Sequence, residues 1–175
     1  GVLGRQGLGL AEEEGVIGEI ELLIGTFGKA LAGLGGFAAC SEVTAQFLVN
    51  RARPLIYSTA LPPVCLNWLL FVLERIPGMQ KERSGLRRLA DNVRKGLVEL
   101  GLTAGGSSHI IPVILGESRQ TFLAAERLRE RGYWVTAVRP PTVPVGSARL
   151  RLSLSAAMDP AVLARLPAHI AEAVR

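Results

Sequence analysis

Lys29 is the residue of this sequence best placed to do chemistry. It follows a short apolar run and sits among Gly25, Gly28, Ala30, Ala32 and Gly33. Small neighbours let a flat ring approach the backbone closely. Crowding by such groups also keeps water from the amine, which favours its neutral, nucleophilic form and suits it to condense with a carbonyl. Thr26, earlier in the same turn, can offer a hydroxyl to an anion such as phosphate. Taken alone, the pattern more readily describes a surface lysine in a glycine-rich hairpin, because short Gly/Lys motifs recur by chance.

Two further constellations carry usable groups. In Arg53-Pro54-Leu55-Ile56-Tyr57-Ser58-Thr59-Ala60-Leu61-Pro62-Pro63, adjacent hydroxyls precede a helix that Pro63 can open. Helix N-termini favour anions, so Ser58 and Thr59 read as an anion site. A simple N-cap is the plainer reading of Thr59. In Val138-Arg139-Pro140-Pro141-Thr142-Val143-Pro144, three prolines stiffen the loop that carries Arg139. A fixed guanidinium fork suits bidentate capture of a carboxylate, although an arginine on a solvated loop fits as well. His109 and His169 have no second ligand at metal spacing and read as structural. The charged run from Arg119 to Arg131 reads as the solvated face of a helix.

The elements that must position these groups follow from periodicity. Residues 1–18 read as loop with a helical patch near Ala11–Glu14. Glu19–Ile24 reads as a buried strand and Gly35–Cys40 as a second one. Ser41 caps a helix over 42–50, Pro54 forbids regular helix over 51–61, and a helix runs from Pro63 to Gly78. Another spans about 80–100, with Leu86, Leu89, Val93, Leu97 and Leu100 on one stripe. Beyond Gly101 come a strand (109–115), a helix (118–131), a strand (134–138), an alternating strand (149–154) and a closing helix (160–174). The order over 105–175 describes a small α+β domain, which places a boundary within the 80–100 helix.

Bulk properties exclude several classes. Hydrophobic residues form 49% and charged residues 20% of the 175, which is globular rather than disordered composition. The most apolar stretch, Leu61–Leu73, is interrupted by Pro62, Pro63 and Asn67, so no membrane span is expected. The net charge of +5 is scattered and aromatics are only 5%, which argues against a nucleic-acid partner. Cys40 and Cys65 lack metal spacing and read as reduced thiols of a cytoplasmic protein. The chain opens on Gly1, with Gly4, Gly7 and Gly9 before any periodic segment, and so reads as lacking its beginning.

In order along the chain, Gly25-Thr26-Phe27-Gly28-Lys29-Ala30-Leu31, the Arg53–Pro63 segment and Trp134–Pro144, continued by Ala148–Leu154, resemble the α-oxoamine synthases. These are fold-type I enzymes dependent on pyridoxal 5'-phosphate (PLP), and the resemblance extends over nearly the whole chain. It implies an α/β fold, with residues 1–90 the carboxy-terminal part of their PLP-binding large domain and residues 91–175 the small α+β domain. Lys29 would form the Schiff base and later remove the substrate's α-proton, and Thr26 would bind the cofactor phosphate. Ser58 and Thr59 would reach the cofactor of a partner subunit, which implies a homodimer. Arg139 would hold the amino-acid carboxylate, supported by Thr142. The implied reaction joins L-alanine to a pimeloyl thioester, on coenzyme A or a carrier protein, with loss of carbon dioxide. Glycine-using relatives that make aminoketobutyrate or aminolevulinate are alternatives, as is a non-catalytic dimerisation or binding module. In the family, an Asp-Glu-Ala-His segment lies just upstream of the glycine matching Gly1, and its aspartate pairs with the pyridine nitrogen. That segment is not in this sequence, so the missing N-terminal half of the same enzyme is an implied partner.

Overall fold

Two units divide the computed structural model, which describes residues 1–175: Gly1–Arg83 and Ser84–Arg175. The first opens with a glycine-rich loop closed by side chains. The Glu12 carboxylate, on the one-turn helix α1 (Leu10–Glu13), accepts the N–H groups of Gln6 and Leu8 at 2.8 and 2.9 Å. The Gln6 N–H foremost, with Leu8, Arg83 and Arg5 adding, holds this carboxyl below the usual range. Arg83 donates to the carbonyls of Ile76 and Arg5, both at 2.6 Å.

Strand β1 (Leu22–Thr26) pairs antiparallel with β2 (Gly36–Cys40), in the register Leu22 to Cys40 and Thr26 to Gly36. The first strand starts later than its Ile and Leu content suggests, because Ile17–Glu19 winds into a single 3-10 turn. Nor is it buried: Ile24 is 74% and Leu22 40% exposed. A two-stranded sheet has no third strand or second layer within this chain to cover that face.

Helix α2 (Glu42–Arg51) starts as expected at Ser41, whose hydroxyl oxygen accepts the Thr44 N–H. Contrary to the expectation of irregular chain after it, α3 (Arg53–Ile56) forms one helical turn. Pro54 falls within that first turn, where its missing N–H has no partner to lose. Helix α4 (Pro63–Arg75) follows. Only Leu31, Leu69 and Ile76 form the buried apolar core of this unit, while Leu66, Trp68, Leu70, Phe71 and Leu73 of α4 stay exposed. A helix apolar all round is built for cover on several sides.

Helix α5 (Gln80–Glu99) leads into the second unit, which begins at Ser84. Leu86, Ala90, Val93 and Leu97 make its buried stripe, and Leu100, counted on that stripe from sequence, lies beyond its end at 50% exposure. The short strand β3 (Thr103–Ala104) was not legible. It pairs with β4 (Ile110–Gly116), and after α6 (Ser118–Glu130) the chain adds β5 (Thr136–Val138), β6 (Ala148–Ser153) and α7 (Pro160–Ala173). The sheet is antiparallel, in the order β3-β4-β6-β5.

Alternation on β6 places Leu150 and Leu152 in the core opposite Val113 and Ile111 of β4, with Leu128 of α6 and Ile170 of α7 also fully buried. Arg149 and Arg151 fall on the opposite face. Trp134, expected in a strand, precedes β5 and is 81% exposed, with the Arg129 guanidinium 4.5 Å above its ring. No helix is long and apolar enough to cross a membrane.

His109, just before β4, has a buried Nδ1 without a hydrogen-bond partner. Burial first, and the nearby Arg151 charge second, push its imidazole below the ordinary histidine range. The folded state therefore resists protonation while the unfolded chain accepts it. Stability is full above the ordinary histidine value of about 6.5 and falls as the pH drops below it, toward the depressed folded value. Denaturant titrations at about pH 7.5 and pH 5.5 are expected to show a steeper loss for the native chain than for His109→Asn. Equal losses would remove His109 from the account.

Candidate functional site

Lys29 lies in the connection between β1 and β2, and backbone hydrogen bonds fix the shape of that connection. Phe27 N–H donates to Gly35 O at 2.9 Å, Gly33 N–H to Phe27 O at 2.8 Å and Ala32 N–H to Lys29 O at 2.9 Å. Helix α4 braces it from within the same unit. Trp68 Nε1–H donates to Ala32 O at 3.0 Å, and a Cβ on Gly33 would come within 2.5 Å of Leu69 Cδ2. A Cβ on Gly25 would meet the Phe37 ring at 2.4 Å, so glycine there lets Phe37 lie against Phe27 in a tilted pair, with ring centroids 5.2 Å apart. The small residues thus serve close packing of the turn.

They do not shield the amine. Lys29 is exposed, and its Nζ makes no hydrogen bond or ion pair. The crowding expected from sequence is therefore not supplied by this chain itself. Thr26 shapes the turn: its hydroxyl donates to Gly35 O at 3.3 Å and accepts Gly28 N–H at 3.2 Å. Both contacts are long and solvent-exposed, so a better acceptor can recruit the hydroxyl. An apolar cavity of about 830 Å³ lies beside the hairpin, lined by Leu23, Phe27, Leu31, Phe37, Leu73 and Ile76, and Lys29 does not line it.

Ser58 and Thr59 fall in the exposed connection between α3 and α4, and neither hydroxyl has a partner within the chain. The capping alternative for Thr59 is excluded, because Pro62 occupies the N-cap position of α4. Pro63 lacks an N–H and Cys65 N–H is bonded to Pro62 O, so the helix start offers few free amides. Anion binding here would rest on the two hydroxyls.

Arg139 directly follows β5. Its carbonyl accepts Thr142 N–H at 3.0 Å across the Pro140–Pro141 pair, whose peptide bond is cis. The guanidinium is exposed, has no carboxylate or carbonyl partner, and lies 5.4 Å from the centroid of the Phe122 ring. Thr142 keeps a free hydroxyl. Lys29, Thr26, Ser58 and Thr59 thus belong to the first unit, and Arg139 and Thr142 to the second. Sequence reasoning missed Trp68, Leu69 and Phe122, whose roles arise only from packing. No three His, Cys, Asp or Glu side chains gather closely enough to hold a metal, and both cysteines are free.

Residues 4–170 match the family described as aminotransferase class I and II. The chain belongs to that family. It is 44% identical over 173 residues to a protein of Pasteurella multocida named putative 8-amino-7-oxononanoate synthase, an overlap of 98% of this chain and 45% of that one. To the 8-amino-7-oxononanoate synthase of Chlorobaculum parvum it is 51% identical over 156 residues, 89% of this chain and 40% of the relative. Among solved structures it is similar to 8-amino-7-oxononanoate synthase from Francisella tularensis, with a TM-score of 0.87 at 25% identity over 98% of this chain and 51% of that one. It is also similar to a serine palmitoyltransferase carrying PLP as an internal aldimine, with a TM-score of 0.92 at 27% identity over 98% of this chain and 44% of the other. The chain spans less than half the length of the curated relatives it matches here. Its architecture is accordingly one part of the fold of these PLP-dependent enzymes, as the sequence resemblance implied.

Proposed function

We propose that this chain supplies the lysine-bearing part of an 8-amino-7-oxononanoate synthase, which condenses L-alanine with a pimeloyl thioester on coenzyme A or a carrier protein. In the balanced reaction the alanine Cα bonds to the acyl carbon, the thiol leaves, and the alanine carboxylate departs as carbon dioxide. The observation that carries the reading is Lys29: an unpaired, accessible amine on a turn braced by Trp68 and Leu69, within the Gly25–Leu31 motif.

The residues present fit PLP, because a free amine and two unspent hydroxyls match the aldehyde and phosphate of that cofactor. When bound, PLP supplies an electron sink for the carbanion chemistry at the amino-acid Cα. Lys29 would anchor the cofactor and its Nζ would take the Cα proton. The Thr26 hydroxyl would serve the phosphate, and Ser58 and Thr59 would serve the phosphate bound by the partner subunit of a homodimer. Arg139 binds the alanine carboxylate as a bidentate fork and Thr142 supports it. Water exclusion around Lys29 would have to come from outside this chain, whose own residues leave the amine exposed.

A reading as a serine palmitoyltransferase-type enzyme competes, because such a structure matches at a TM-score of 0.92. The 44–51% identity to the synthases favours alanine and the pimeloyl group. The test combines this chain with the part of the Chlorobaculum parvum synthase that it does not span, and offers alanine, glycine or serine with pimeloyl- or palmitoyl-coenzyme A. Alanine with the pimeloyl thioester is expected to turn over at least about tenfold faster than glycine, the discrimination one methyl group supplies. A preference for serine and the palmitoyl thioester would replace the proposal with its competitor.

A further inference from the structure

We infer that Phe122 is a positioning residue that holds Arg139 ready for carboxylate capture. The inference rests on the reading of Arg139 just given. Phe122 sits on α6, whose neighbouring residues Thr121, Ala124, Ala125 and Leu128 are buried, yet its own side chain is 44% exposed. Its exposure is not empty: the Arg139 guanidinium lies over the ring, 5.4 Å from the centroid.

A ring face attracts a guanidinium through its quadrupole and consumes none of the five in-plane N–H donors. Other arginines of this unit are differently placed. Arg129 also stacks on a ring, that of Trp134, but pairs with Glu126 at 2.7 Å, and Arg149 donates to Ser147 O at 2.9 Å. Arg139 has the stacking contact and no polar partner. Its main chain is fixed by the Thr142 N–H and the two prolines. The loop therefore sets where the side chain starts and Phe122 sets where it ends. Ordering before binding lowers the entropy lost when a carboxylate arrives.

The test uses the full chain with isotope-labelled arginine, followed by NMR during titration with acetate and then L-alanine. The Arg139 side-chain resonances are expected to carry an upfield ring-current shift that Phe122→Leu abolishes and Phe122→Tyr retains. The acetate dissociation constant is expected to rise about two- to fivefold in Phe122→Leu, the effect of losing an exposed cation–π contact, and to stay unchanged in Phe122→Tyr. Backbone amide resonances distant from α6 report that each variant folds. Absence of the ring-current shift, or unchanged acetate binding in Phe122→Leu, overturns the inference. Acetate binding that survives Arg139→Gln overturns it differently, because the carboxylate role of Arg139 then fails while the stacking contact stands.

Discussion

Lys29→Ala is expected to remove synthase activity by at least about 10³-fold in the reconstituted enzyme, while leaving the unfolding midpoint where it was. The first half follows from asking one amine both to anchor the cofactor and to move the Cα proton, so that one substitution deletes two steps. The second half follows from the fold. Lys29 is exposed and its side chain has no partner, and substitutions at such positions change stability by no more than about 0.5 kcal/mol. Parallel measurement of turnover and urea unfolding separates the two. Lys29→Arg keeps the charge but cannot form the imine, and is expected to be as inactive as alanine. Retained turnover in either variant would end the proposed role of Lys29.

The largest structural effect is expected at Leu150. It is fully buried on β6, paired with Val113 on one side and Ala137 on the other. Truncation to alanine removes methyl groups from a site walled by the sheet and by buried residues of α6 and α7, which cannot collapse freely. The expected cost is about 2–5 kcal/mol, a large share of the roughly 5–15 kcal/mol that holds a typical domain together. Ile24→Ala is the contrasting case. Ile24 is 74% exposed on β1, and its truncation is expected to cost less than about 0.5 kcal/mol in this chain. Urea unfolding followed by circular dichroism measures both. A large loss at Ile24 would mean that the hairpin face is covered in solution.

That contrast explains what could be read from the residues and what could not. The second unit was legible almost element by element, because its core is complete: the strict alternation on Ala148–Ser153 and the stripe through Leu86, Val93 and Leu97 each record a face that packs within the chain. In the first unit the residue types were informative but their burial was not. The Ile and Leu content of β1 promised a buried strand, yet a hairpin with no further strands leaves Leu22 and Ile24 in solvent. Pro54 was read as a helix breaker because proline is usually judged by the interior of a helix, and it stands at a beginning. The motif around Lys29 pointed to the family, but its small residues serve packing rather than crowding of the amine. Gly33 makes room for Leu69 and Gly25 for Phe37, contacts formed by residues distant in sequence or across the strand. Phe122 lies 17 positions before Arg139, and no spacing rule connects them.

The central claim is that Lys29 carries the cofactor, and covalent trapping tests it most directly. The chain, combined with the part of the Chlorobaculum parvum synthase that it does not span, is incubated with PLP, reduced with borohydride, digested, and mapped by mass spectrometry. The competing lysines of this chain are Lys81 and Lys95, both exposed on α5. The account predicts a single dominant adduct, on Lys29. Adducts spread evenly over Lys29, Lys81 and Lys95 would contradict it, because the turn between β1 and β2 would then hold no more than an ordinary surface amine.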